Sequence, residues 1–137
     1  SVLASMPCPP LTRHLVSYLI VGSLIAFYCE GIYAEKRLTE ALSALKKAID
    51  LEPNNTRYRY VYAIALESAG HLDEALQSLD VAHARRPADR DVLYALISFH
   101  ERTGNFQAAA TFAETLIEVS PRDQNARALR KRLLVGE

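Results

Sequence analysis

"HLDEALQSLDVAHARRPADRD", residues 71–91, carries a leucine and alanine stripe that ends at a proline. Leu72, Ala75, Leu76, Leu79 and Ala82 recur at steps of three and four, which places them on one face of a helix. Pro87 cannot continue that helix, because it lacks an N–H and its ring clashes with the preceding turn. Asp89 then supplies a good N-cap for a following helix. The same order of residues appears upstream in "RLTEALSALKKAIDLEPNNTR", residues 37–57. A weaker version appears downstream in "NFQAAATFAETLIEVSPRDQN", residues 105–125.

The three stretches are in register. Pro53, Pro87 and Pro121 lie 34 residues apart, and Asn55, Asp89 and Asp123 keep the same interval. So do Ala41, Ala75 and Ala109, and Leu38, Leu72 and Phe106. Gly70 and Gly104 match, with Lys36 in their column in the first unit. A fixed period between about 20 and 50 residues signals a solenoid, in which each unit is one supersecondary element. Here each unit reads as two helices: an Asn or Asp cap starts the first, a glycine turn ends it, and a proline stops the second. No segment shows sustained two-residue alternation, so no sheet is expected.

The pattern predicts an all-α chain of about seven helices: a long N-terminal one, then 38–52, 56–69, 72–86, 90–103, 106–119 and 124–134. Ala63 and Ala75 are expected where the two helices of a hairpin cross closely, with Tyr62, Leu66 and Leu79 filling the space around them. The last helix, "QNARALRKRLLV", is expected to cap the stack with Ala126, Leu129, Leu133 and Leu134. Its outer residues Arg127, Arg130, Lys131 and Arg132 can stay in water, as the end of a solenoid requires.

The 34-residue period and the series Ala63, Gly70, Ala75, Leu79, Ala82 and Pro87 resemble the tetratricopeptide repeat family. That resemblance implies a right-handed superhelical solenoid of antiparallel helix hairpins with a C-terminal capping helix. The expected organisation is an apolar segment over 1–21, three hairpin units at 22–55, 56–89 and 90–123, and a cap over 124–137. The unit 22–55 is degenerate, because its first helix falls in the apolar segment and its glycine is missing. The third unit departs at Ile97 and Leu116, where small residues are usual. "RYVYAIALESAG" and "DRDVLYALISFHERTG" are also similar to repeat segments at the C-terminus of some exported bacterial haem-containing proteins. With no haem motif present, only an expectation of bacterial origin follows from that second likeness.

Stacked hairpins produce an extended concave surface suited to binding. In the family this groove is lined by the first helix of each pair and holds a peptide or partner helix. The expected groove residues are Arg57, Tyr60, Ile64 and Glu67 in the second unit and Asp91, Tyr94, Ser98 and Glu101 in the third. Tyr60 and Tyr94 occupy one column, and tyrosine is a good recognition anchor because it joins a large apolar face to a polar tip. Some family members clamp the acidic C-termini of chaperones with lysine, asparagine and arginine. The corresponding positions here are Tyr60, Ile64, Ala95, Asn125 and Leu129, so that activity is not expected.

Acidic and basic residues balance at 16 each, which gives no overall charge argument for nucleic acid or an anionic membrane. The two cysteines, Cys8 and Cys29, form no metal or haem spacing, and the four histidines have no partner at i+4. His71 and His83 are expected on a helix surface, and His100 in a packed or groove-facing position. No nucleophile elbow, phosphate loop or paired-carboxylate motif appears. The expectation is therefore a non-catalytic interaction module, a scaffold or assembly factor, with a protein or peptide partner and no cofactor, metal or nucleic acid.

Residues 15–29, "LVSYLIVGSLIAFYC", carry no charge. Two readings stand. In one they form a helix buried by protein, including a homodimer contact that makes the chain a self-association element. In the other they are an export or membrane segment anchoring the repeats, although about 15 residues are short for a bilayer. The cytoplasm is the first expectation for location, with export or membrane anchoring as the alternative.

Overall fold

The computed structural model describes residues 19–135. They form six helices: α1 (Leu19–Leu51), α2 (Thr56–Ser68), α3 (Leu72–Arg85), α4 (Arg90–Arg102), α5 (Phe106–Val119) and α6 (Gln124–Val135). There are no strands among the described residues, and the architecture is an all-α repeat solenoid. Contacts divide the chain into two units at Ala41 and Leu42.

The 34-residue columns become repeated turns. Gly70 and Gly104 take φ values of 83° and 77°, the left-handed region that side chains resist. After α2, His71 N–H reaches Leu66 C=O and Gly70 N–H reaches Glu67 C=O. After α4, Asn105 and Gly104 bond in the same way to His100 and Glu101. These are paired Schellman bonds, which satisfy carbonyls left open at a helix end. At the other end of each repeat, Asn55, Asp89 and Asp123 donate N–H bonds back to Glu52, Arg86 and Ser120. Each bond closes a turn with proline in its second position, where the fixed φ suits it. The side chains of the same three residues accept N–H bonds from the first turns of α2, α4 and α6.

No atom lies within 4 Å of a Cβ built on Gly70. Replacing it with alanine therefore meets no clash and costs only the backbone strain. We expect Gly70→Ala to destabilise by about 1–2 kcal/mol, read as a lower urea midpoint with an unchanged slope. Stability equal to wild type would show that the turn does not need its positive φ.

The core follows the predicted columns. Ala63, Ala75, Leu79 and Ala82 are fully buried and pack with Leu66, Val92, Ala95, Leu96 and Phe99. A second cluster joins Leu93, Ile97, Ala109, Ala110, Ala113 and Leu116 to Ala126 and Leu133 of α6. Ser78, a polar residue on the α3 packing face, loses no hydrogen bond, since its hydroxyl donates to Arg59 C=O at 3.0 Å.

Three differences from the sequence expectations stand out. The helix expected at 38–52 is not separate: α1 runs unbroken from Leu19 to Leu51. Lys36 stands in the glycine column, where the left-handed conformation of a turn would carry a steric cost. The first unit consequently has no internal hairpin turn. Second, Leu134, expected on the packing face of α6, is 54% exposed, while Leu133 carries that contact. Third, His83 is not a simple surface residue. Its ring meets the edge of Phe112 at 5.4 Å, and His100 stacks on the same ring at 5.6 Å. No described helix is long and apolar enough to cross a membrane, and residues 15–18 of the apolar segment lie outside the described residues.

Candidate functional site

The expected site residues all lie on α2 and α4, and the structure ties those helices to each other and to α6. Side-chain pairs between first helices form rungs at both ends. At the N-terminal end, Arg57 of α2 pairs with Asp91 of α4 at 3.3 Å, and both side chains are 65% exposed. The Arg57 guanidinium also sits over the Tyr60 ring, 5.1 Å from its centre. At the C-terminal end, Glu67 of α2 pairs with Arg102 of α4. The next rung repeats this: Glu101 of α4 pairs with Arg132 of α6 at 2.6 Å.

Asp123 is the most connected of the side chains on this face. Its carboxylate accepts from the Tyr94 hydroxyl at 2.7 Å and from Arg90 at 2.8 Å. Its other oxygen accepts from Asn125 N–H and Ala126 N–H, which caps α6. Only 8% of the Asp123 side chain is exposed. The Tyr94 hydroxyl, then the Ala126 N–H, hold its carboxyl below the ordinary value against the desolvation that would raise it. Tyr94 is pushed up, first by burial and then by its bond to the carboxylate.

These contacts sort the eight expected residues. Arg57, Tyr60 and Asp91 come together in one exposed cluster. Tyr94 is half-buried and its hydroxyl is already committed to Asp123. No described residue forms an equivalent bond to the Tyr60 hydroxyl. Ile64 packs against the first core cluster, Ser98 is exposed, and Glu67 and Glu101 are neutralised by arginines. Sequence reading missed Arg90, Arg102, Asp123 and Arg132 as members of this face. Asp123 had a signal, as the third member of the cap column. Arg102 and Arg132 had none, because their spacing from the glutamates differs between the two rungs.

No group of three or more metal-binding side chains occurs among the described residues. Two open depressions lie at the proline turns, one lined by Arg86–Asp91 with Tyr94, the other by Arg90 and Ser120–Asn125.

A family model described as tetratricopeptide repeat matches residues 33–82 and 68–133. Among solved structures, the chain is similar to the first repeat domain of Spaghetti (RPAP3) bound to the HSP90 peptide SRMEEVD. The identity is 15%, with 78% of this chain and 85% of that chain covered and a TM-score of 0.66. It is similar to the Yersinia enterocolitica type III secretion chaperone SycD in complex with a peptide of the translocator YopD. There the identity is 11%, coverage is 91% of this chain and 98% of that chain, and the TM-score is 0.66. It is also similar to YrrB, described as having an unusual peptide-binding site, at 25% identity and a TM-score of 0.62. That match covers 70% of this chain and half of YrrB.

Proposed function

The chain belongs to the tetratricopeptide repeat family, and on that premise we propose that it is a non-catalytic interaction module holding a peptide or partner helix against α2, α4 and α6. The observation that carries this reading is the Arg57, Tyr60 and Asp91 cluster. It joins an aromatic face, a hydroxyl with no partner among the described residues and an exposed charge pair on helices that the first core cluster holds in place. An anchor on a fixed scaffold loses little entropy when a partner binds. The Spaghetti (RPAP3) domain and SycD were each solved with a peptide bound, which supports a peptide-sized occupant.

The occupant proposed is not an acidic chaperone tail. Ile64 packs on the core and Ala95 is buried within it, so neither column can present a cation. Glu67 and Glu101 would repel a second carboxylate once their arginines were displaced. A peptide with an apolar or basic anchor residue suits Tyr60 and Asp91 better.

Selection from a peptide display library tests this. The best peptide should bind Tyr60→Ala at least about tenfold more weakly than wild type, the loss expected of an aromatic hot spot. Ser98→Ala should change affinity less than about threefold. Failure to select any peptide, or equal binding by Tyr60→Ala, would remove the support for this face.

A further inference from the structure

The Arg57, Tyr60 and Asp91 cluster is a guanidinium seated against two groups that recognise guanidinium. Tyr60 packs against the first core cluster, which fixes its ring on α2. The Arg57 guanidinium lies 5.1 Å from the centre of that ring, and its Nη1 donates to the Asp91 carboxylate at 3.3 Å. An aromatic face attracts a planar cation by stacking, and a carboxylate attracts it by charge-assisted hydrogen bonds. Helices α2 and α4 therefore build a seat for arginine, and α2 supplies the side chain that sits in it.

That side chain is loosely held. Charge-assisted N–H···O bonds run at about 2.7–2.9 Å, and the bond from Arg57 to Asp91 is longer. Both side chains are 65% exposed, so water competes for each charge, and exposed pairs contribute little. The next junction along the face shows a closed version of the same three residue types. There Arg90 reaches Asp123 at 2.8 Å, the Tyr94 hydroxyl reaches the same oxygen at 2.7 Å, and only 8% of the Asp123 side chain is exposed. Tyr60 and Tyr94 share one repeat column, yet only the second is locked to a shielded carboxylate. Arg90, next to Asp91 in sequence, is engaged by Asp123. The open depression at the Pro87 turn is lined by Asp89, Asp91 and Tyr94 among others, and it gives an incoming side chain a path to the Asp91 carboxylate.

We propose that Arg57 is a placeholder for an arginine of the partner, which on binding takes over both the Tyr60 ring and the Asp91 carboxylate. This rests on the reading of the α2, α4 and α6 face as a peptide site, and it narrows the anchor of that peptide to one side chain. Arginine suits the seat better than lysine. Its guanidinium lies flat on a ring and offers parallel N–H donors to both oxygens of a carboxylate, whereas an ammonium is a compact, strongly hydrated point charge. Asp91 keeps one cationic partner throughout the exchange, and Arg57 turns to the water that already surrounds most of it. The internal contact is a competitor, so its removal strengthens binding.

The probe is N-acetyl-arginine amide, titrated into the full chain while the Tyr60 ring protons are followed by NMR. It should shift those signals saturably, and the lysine analogue should shift them less. Arg57→Ala should bind the arginine probe about two- to fivefold more tightly, the range that an exposed ion pair can withhold. Asp91→Asn should remove most of the preference for arginine over lysine. Peptides selected by display should carry an arginine, and changing it to alanine should weaken binding about tenfold. Selected peptides that need Tyr60 but contain no arginine would overturn the placeholder and leave the peptide face standing. So would weaker binding of the arginine probe by Arg57→Ala, or an equal gain for the lysine probe, which would mark a general effect of charge. Failure to select any peptide would remove the face itself, and no shift at Tyr60 with the arginine probe would remove the seat.

Discussion

Removing residues 124–137 should lower the melting temperature by roughly 10 °C or more and make the chain aggregate. The reason is the underside of α6. Ala126 and Leu133 are buried against Ala109, Ala113 and Leu116, which are themselves fully covered. Truncating a single buried leucine costs about 2–5 kcal/mol, a large share of the roughly 5–15 kcal/mol that stabilises an ordinary domain. Loss of the helix also strips the cover from α5, and the uncovered apolar stripe becomes available to other chains. The outer face of α6 explains why the native end does not aggregate: Arg127, Arg130, Lys131 and Arg132 are all exposed. Leu134→Ala is the control. Its side chain is largely in solvent, so its melting curve should nearly match wild type. A truncated chain that melts like the full one would show that α6 contributes no cap.

The sequence made the repeat legible because the residues that set it act locally. A proline ends a helix whatever surrounds it, and an Asn or Asp caps one through its own side chain. That is why the turns after α2 and α4 and the caps at Asn55, Asp89 and Asp123 were readable from single columns. The first unit was harder. Its column holds Lys36 in place of a glycine, while the strong stripe downstream suggests a separate helix from 38. The observed helix shows that an amphipathic stripe alone does not start a helix when an earlier one can continue through it.

The binding face was legible in position and not in pairing. The 34-residue offset brings Arg57 and Asp91 within 3.3 Å, a contact that the columns permit but do not require. The columns place Glu67 and Glu101 in the groove but do not reveal what they pair with. Their partners Arg102 and Arg132 come from neighbouring first helices at unequal spacings, so no column contains them. Exposed pairs of this kind contribute little to stability, about 0–1 kcal/mol. Their effect is on what the face can offer a ligand: two carboxylates that composition would count as available are already matched. Among the described residues nothing bonds the Tyr60 hydroxyl, and for that reason it carries the binding test.

Ala113 and Leu116 of the third repeat should prove to be one compensated exchange. Leu79 and Ala82 in α3 correspond to Ala113 and Leu116 in α5, and all four are fully buried. Positions three apart lie on one face of a helix, so each hairpin places one large and one small side chain beneath its opposing helix. The order is reversed between repeats, and the total volume is kept. Leu79→Ala alone should cost about 2–5 kcal/mol by leaving a cavity. Ala82→Leu alone should cost about 1–3 kcal/mol by overpacking. The double substitution gives α3 the order found in α5, and its cost should fall short of the sum of the two by about 1 kcal/mol or more, since adjacent sites in a shared space couple. The opposing helix sets the size of that coupling. Ala63 faces this region in the second repeat, whereas its column holds Ile97 in the third, and both are buried. Adding Ala63→Ile to the double variant should therefore change stability further, and urea denaturation of all the variants measures each step. A double variant as unstable as the sum of its parts would mean that the two columns pack independently, and the reversed order in the third repeat would then need a separate cause for each residue.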